Sequence, residues 1–558
     1  MAQSKEQRLW QGCSDGDLEA VRELADDPAV DVNWVGEDRL DTPLHRACRF
    51  GWLEIVKLLL AQEKIEVNKG NKGDAGPFYI VCQEGHKEVV SLLLADPRID
   101  PNMTSNKGVT PFFVACQNGH KEVVSLLLAD TKIDPKKPRD TGATPFFIAC
   151  QNDHKEVVSL LLADPRVDPK KPYNDGTTPF SVACQQGHKD VVSLLVADPR
   201  IDPNQADDEG YAPFFMACQE GHKKVVSLLL ADPRMDLNKP RNDGATPFFI
   251  ACQEGHKEVV LLLLADSRVD PNMPRNTGAT PFFLACQKGH KEVVLLLLAD
   301  PRIDPKKPTD TGATPFYVGC RNGNKEVVSL LLADPRVDPN KPKNDGATSF
   351  LKACQKGHKE VVSLLLADPR IDPNKPRNDQ STPLWQASQN GHLVVVQHLL
   401  ASGREIDTKM KCTFNNKTAA EQGRAIGERT TKENNETEED FQRRKTNSPL
   451  CADLIDAYER EPEHLQVLHR LRRQPGLREY FIGHLFALVI FFSDSFAIIS
   501  ERTAHADTKR FFGICARLPL EVQMIICNKA FGSPKDIILS RDSEPGFQLL
   551  TRTTTWQQ

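Results

Sequence analysis

A 34-residue unit recurs ten times across residues 40–379 without a single insertion or deletion. No other feature constrains the fold as strongly. Units this short and this alike cannot gather around one central core. Each buries its apolar face only by stacking on its neighbours, so the chain must be a solenoid. A solenoid offers an extended surface for contact, not an enclosed pocket for chemistry.

One copy, GATPFFIACQNDHKEVVSLLLADPRVDPKKPYND at 142–175, shows the local physics. Thr144 suits a helix N-cap, and Pro145 follows at the first helical position, where a missing N–H costs nothing. Phe146, Ala149 and Cys150 then fall at i, i+3 and i+4, which predicts a short helix with one apolar face. Asn152-Asp153-His154 breaks it; sister copies carry Gly119, Gly187 and Gly221 here, as a left-handed turn requires. A second helix is expected over 155–163, apolar on nearly every side except the Lys155/Glu156 edge and therefore sandwiched between others. Pro165 ends it, and a Pro/Lys/Asn/Asp segment leads to Gly176 and the next copy.

The pattern closely resembles the ankyrin repeat, whose signature is G-x-T-P-L-H-x-A-A-x-x-G-H-x-x-x-V-x-x-L-L. Gly142, Thr144, Pro145, Ala149, His154, Val158, Leu161 and Leu162 match it. Phe stands where the usual Leu and His occur, Cys replaces the second Ala, and the loop after the second helix carries D-P-R-[IV]-D. The resemblance covers roughly residues 5–425, giving about twelve repeats and a partial thirteenth at 417–424. It implies an all-α ankyrin-repeat solenoid over 1–427. The first repeat lacks the Thr-Pro start and is rich in charge, as a cap with one face in water should be. With helices packed about 8–10 Å apart, twelve repeats should make a curved rod on the order of 100–120 Å long.

Composition narrows the function. With 71 basic and 76 acidic residues the chain is near neutral, which argues against a nucleic-acid partner held by phosphate neutralisation. The polar start MAQSKEQRLW is no secretion signal. Eleven of the fifteen cysteines are one repeat position: Cys13, Cys48, Cys82 and their equivalents through Cys354. Adjacent repeats about 10 Å apart exceed the roughly 7 Å Cα separation that a disulfide bridges. These thiols are therefore expected to be small reduced core residues in a cytoplasmic or nuclear protein.

Cys82/His86 and Cys252/His256 recur four residues apart, a spacing that raises metal binding. One Cys and one His per repeat cannot complete a tetrahedral site, so the His is read as structural. No catalytic or cofactor motif is present: no G-x-S-x-G, Walker A loop, H-E-x-x-H or kinase set. The expectation is a non-enzyme without cofactor or metal whose partners are other proteins.

Contacts in ankyrin proteins are usually made by the loop tips and the exposed side of the first helix. The resemblance carries that role onto Asn242, Asp243, Gln253 and Glu254 of the eighth repeat, and onto Gln287 and Lys288 of the ninth. The equivalents elsewhere hardly vary: Gln83, Gln117, Gln151, Gln185, Gln219, Gln253, Gln287 and Gln355 form a ladder. A face shaped for one partner should differ from repeat to repeat. This one points to recent duplication or to a repetitive, extended ligand. Repeats ten and eleven deviate most, with Gly319, Arg321, Asn324, Ser349 and Lys352 replacing the common residues. Together with Trp385 and Gln386 of repeat twelve they are expected to give a specific contact patch.

Beyond the array, residues 428–447 (ERTTKENNETEEDFQRRKTN) are polar and charge-mixed and read as a flexible linker. Residues 448–558 read as a small helical domain, with helix starts at Ser448-Pro449 and Pro462. The apolar stretch 480–499 contains His484 and Asp494, both costly in a bilayer, and is read as a buried helix and not a membrane anchor. Leu518-Pro519-Leu520-Glu521-Val522 is loosely similar to the start of an F-box, without its later Trp. That similarity implies a ubiquitin-ligase adaptor as the alternative to a plain scaffold, with a membrane-tethered scaffold as a third. The tail also resembles helical modules that follow ankyrin arrays in fungal and other microbial proteins.

Overall fold

The computed structural model describes residues 3–37, 39–432 and 436–460. The described residues are helical with no strand, and they form two compact units that divide between Asp310 and Thr311. The stretch 480–499, the motif at 518–522 and the expected helical domain after residue 460 lie outside the described residues.

Each repeat is a helix pair whose limits follow its chemistry. In the copy read above the first helix is Pro145–Gln151 and the second Lys155–Ala163. Thr144 Oγ1 accepts from the Phe147 N–H at 3.1 Å, and the same cap recurs at Thr110, Thr246, Thr280, Thr314, Thr348 and Thr382. Each such cap stabilises its helix by about 1 kcal/mol. Phe146, Ala149 and Cys150 are buried, as are Phe248 and Phe282 at the same place in later copies. Burial of each ring contributes about 2–3 kcal/mol, gained only when the neighbouring repeat is present.

The second helix is less enclosed than its composition suggests. Val157, Val158 and Leu161 are buried, Leu160 and Leu162 half-buried, and Ser159 exposed. Two copies put Leu261 and Leu295 at that Ser position, each 53% exposed. The expected sandwich therefore fails on the outer side.

Within each unit, two devices tie a repeat to the one before. In the loop, Arg166 binds Asp164 at 2.7 Å and donates from Nη2 to the Leu128 carbonyl, 38 positions back, at 2.7 Å. That carbonyl is an orphan at the end of the preceding second helix, and Arg98, Arg200, Arg268, Arg302 and Arg370 satisfy its equivalents. At the turn, His154 Nε2 donates to the Gln117 carbonyl at 2.8 Å, while its ring covers Gly119, whose φ is 76°. A Cβ there would lie 2.4 Å from Nδ1, so the sister repeats need Gly both for its left-handed backbone and for its missing side chain.

The end of the second unit departs from expectation. Residues 428–447 are not simply a linker: a helix Glu438–Arg460 begins inside them and runs through Ser448-Pro449, where a start was expected. Phe441, Arg444, Ser448, Cys451 and Ile455 give it a buried stripe too sparse in large apolar residues to stand out in the sequence. The stripe packs on Ala419–Gly427, the helix of the partial thirteenth repeat. Gly423 and Gly427 let the backbones approach: a Cβ on Gly423 would sit 2.5 Å from the Ser448 carbonyl, and one on Gly427 2.2 Å from Pro449 Cγ.

Candidate functional site

The candidate contact residues of the first unit sit at the loop tip and at the end of the first helix of their repeats. Helix Pro247–Glu254 carries Gln253 and Glu254, and helix Pro281–Lys288 carries Gln287 and Lys288. Glu254 and Lys288 are exposed and the two glutamines half-buried. Gln253 Nε2 donates to Glu254 Oε1 at 2.8 Å, and its carbonyl accepts from His290 Nε2 at 2.8 Å. The backbone carbonyl of Gln253 is thus committed to the stack while its half-buried amide bonds to the neighbouring exposed Glu254.

At the loop tip the two expected residues differ. Asn242 is exposed, with Nδ2 donating to the Asp208 carbonyl at 3.3 Å. Asp243 is engaged by Arg241, by Arg275 at 2.8 Å and by the Ala245 N–H. The Arg241 hydrogen bond leads in holding its carboxyl down at about 2. Arg241 also donates to Tyr211 Oη at 2.8 Å and lies 5.0 Å from the Tyr211 ring centroid. Tyr211 and Arg241 belong to this face but escaped sequence reasoning; the departure of Tyr211 from the usual small residue before Pro213 was the available signal.

In the second unit Arg321 lies in the last turn of helix Pro315–Asn322 and is exposed. Lys352 lies in helix Ser349–Lys356, half-buried where other copies carry Ile148, Ile250 or Val318. Its Nζ donates to Gln355 Oε1 at 2.6 Å. The bonding continues in one direction: Gln355 Nε2 to Gln386 Oε1 at 2.8 Å, Gln386 Nε2 to Ser381 Oγ at 3.0 Å, Ser381 Oγ to Asp379 Oδ1 at 2.6 Å. Burial, then the charges of Lys356 and Arg321, push the Lys352 amine down to about 8. Tyr317 beside them is pushed up to about 12, chiefly by burial.

Trp385 and Gln386 do not present a surface. They are 5% and 3% exposed, on helix Pro383–Gln389, and Trp385 Nε1 donates to the Lys417 carbonyl at 3.2 Å. They are the third and fourth residues of the helix, positions that most copies bury. The expectation of direct contact there is corrected: Gln386 supports the polar chain, and Trp385 packs the end of the array.

The repeated thiols are buried, with burial pushing each well above its usual value. The histidines bond carbonyls of the preceding repeat. Among the described residues no group of three or more His, Cys, Asp or Glu is arranged to hold a metal ion. No helix of the described residues is long and apolar enough to cross a membrane.

A family model for ankyrin repeats, built as three copies, matches in eight overlapping stretches: 9–105, 78–171, 128–207, 163–241, 180–275, 228–309, 267–343 and 317–410. No curated protein matches the chain.

Proposed function

This chain belongs to the ankyrin-repeat family, and on that premise we propose that it is a non-catalytic scaffold binding other proteins through the face of its loop tips and first helices. The observation that carries the reading is the division of labour within each repeat. His and Arg side chains tie the backbone to the preceding repeat, whereas Glu254 and Lys288 of the first unit and Arg321 of the second remain exposed. Surface residues spared from structural work on a rigid support are what a binding face needs. A near-neutral charge favours proteins over nucleic acid as partners. The ligase-adaptor reading draws its support from Leu518-Pro519 alone; recovery of a ligase subunit that is lost on changing these two residues would promote it.

Affinity capture with the full chain as bait, followed by mass spectrometry, tests the scaffold reading. Partners should be enriched by the wild type and lost from a variant with Gln253, Glu254, Gln287 and Lys288 changed to Ala, or from Arg321→Gln. Equal recovery by every variant would reject the face.

A further inference from the structure

Resting on the protein-binding reading above, we propose that Lys352 and Arg321 centre a docking site for a carboxylate-rich segment of a partner protein. Lys352 occupies a position that is apolar and buried in the preceding repeats, as with Ile148, Ile250 and Val318. Partial burial of an ammonium costs several kcal/mol unless it is paired, so a lysine here is poorly explained by stability. It has no carboxylate of its own among the described residues. One of its three N–H groups meets Gln355 Oε1, a neutral acceptor.

The surroundings are cationic. Arg321, Lys343 and Lys356 each act on the Lys352 amine as like charges, and Asp345 is the one carboxylate that opposes them. Asp345 is itself occupied: its carboxylate accepts from the Ala347 N–H at 3.2 Å and lies 3.7 Å from Arg377. Asp379 is likewise taken, by Ser381 and Arg377. Arg321 and Lys356 make no ion pair among the described residues. The cluster therefore runs against the formal charge of −5 for the whole chain. Lys352 and Lys356 lie at i and i+4, on one side of their helix.

A guanidinium fork beside two ammonium groups is the donor set that carboxylates accept best, with the fork supplying a bidentate pair. The Gln355–Gln386–Ser381 chain fixes the orientation of the Gln355 acceptor and so the placement of Nζ. A protein segment is favoured over nucleic acid for two reasons. Phosphate-driven binding takes a stripe of roughly 6–10 cations. The flanking Asp345 and Asp379 would repel a continuous phosphate backbone, while isolated carboxylates can avoid them.

The test is fluorescence anisotropy of the full chain with a short fluorescein-labelled Glu-rich peptide, a Gln-for-Glu version of it, and a single-stranded oligonucleotide of equal length. The Glu peptide should bind in low salt and weaken as salt is added, and the Gln version should not bind. Lys352→Ile and Arg321→Gln, which restore the common residues, should each weaken binding about tenfold and together remove it, whereas Lys121→Ala, on an exposed second-helix position outside the face, should not. Lys352→Ile is expected to fold because Ile is native to that position; Lys352→Met checks this independently. No binding of the Glu peptide, equal binding by the double variant, or tighter binding of the oligonucleotide would overturn the proposal. Captured partners that still bind the double variant would overturn it while leaving the scaffold reading intact.

Discussion

Arg444 donates from Nε to the Gln389 carbonyl at 3.2 Å, the bond that His392 makes to the Gln355 carbonyl at 3.0 Å one repeat earlier. The array ends by imitating its own interior. Where the next repeat would lay a histidine on the turn glycine, Gly391 instead meets the backbone of the helix Glu438–Arg460, with the Arg443 carbonyl 2.9 Å from where its Cβ would be. Arg444→Ala should lower the stability of the second unit by about 1.5–3 kcal/mol, the usual loss for a hydrogen bond made by a charged group. Hydrogen exchange should quicken first in Pro383–Gln389 and Leu393–Leu400. Unchanged protection there would refute the capping role.

The same end should be acid-sensitive. Burial first, then Arg443, depress His392 from 6.5 to about 4. Between those values the unfolded chain takes up a proton that the folded chain refuses, so stability is full at neutral pH and falls as pH drops from 6.5 toward 4. At about 1.4 kcal/mol per unit the loss approaches about 3 kcal/mol. Urea midpoints at pH 7 and pH 4.5 should differ less in His392→Asn than in the wild type. The substitution is tolerable because Asn324 holds this place in repeat ten.

Asp153 is the single interior turn residue of its kind that is not glycine, with φ at 62°. Asp153→Gly should raise stability by about 0.5–1 kcal/mol by relieving a left-handed backbone. Gly119→Ala should do the reverse and lose at least about 1 kcal/mol, because its Cβ would meet the His154 ring. Thermal melts of the two variants should move in opposite directions; a shift in the same direction would contradict this view of the turn.

Ser349 stands at the first position of its helix, where nearly every copy has Pro, and its buried Oγ has no hydrogen-bond partner among the described residues. Ser349→Pro should stabilise the second unit by about 1 kcal/mol, by removing the unsatisfied hydroxyl and stiffening the unfolded chain. A lower melting temperature would show that the serine has a function the repeat pattern hides.

The helix pairs were legible because each repeat states its own limits: Thr144-Pro145 starts one helix, Gly119 or its equivalent ends it, and Pro165 follows the next. The structural role of the histidines was legible for the same reason, although the carbonyl they reach lies 37 positions away and could not be named. Two things were hidden. The capping helix carries its stripe on Phe441, Arg444 and Ser448, which in sequence look like a solvated linker. Contact residues were chosen by their place in the repeat, but exposure depends on which side chain turns outward. Position 386 is buried although it follows 352 by one period, because Gln386 turns in to meet Ser381 while Lys352 stays half-exposed.

The most direct measurement of the central claim is quantitative recovery of partners by the full chain and by a variant in which Gln253, Glu254, Gln287, Lys288 and Arg321 are all changed to Ala. Within their own units these residues are exposed (Glu254, Lys288, Arg321) or half-buried (Gln253, Gln287), and changing them leaves the His and Arg ties between repeats in place. The variant should melt within a few degrees of the wild type and lose at least about tenfold in partner recovery. An equally stable variant that recovers the same proteins at the same level would show that this face does not do the binding.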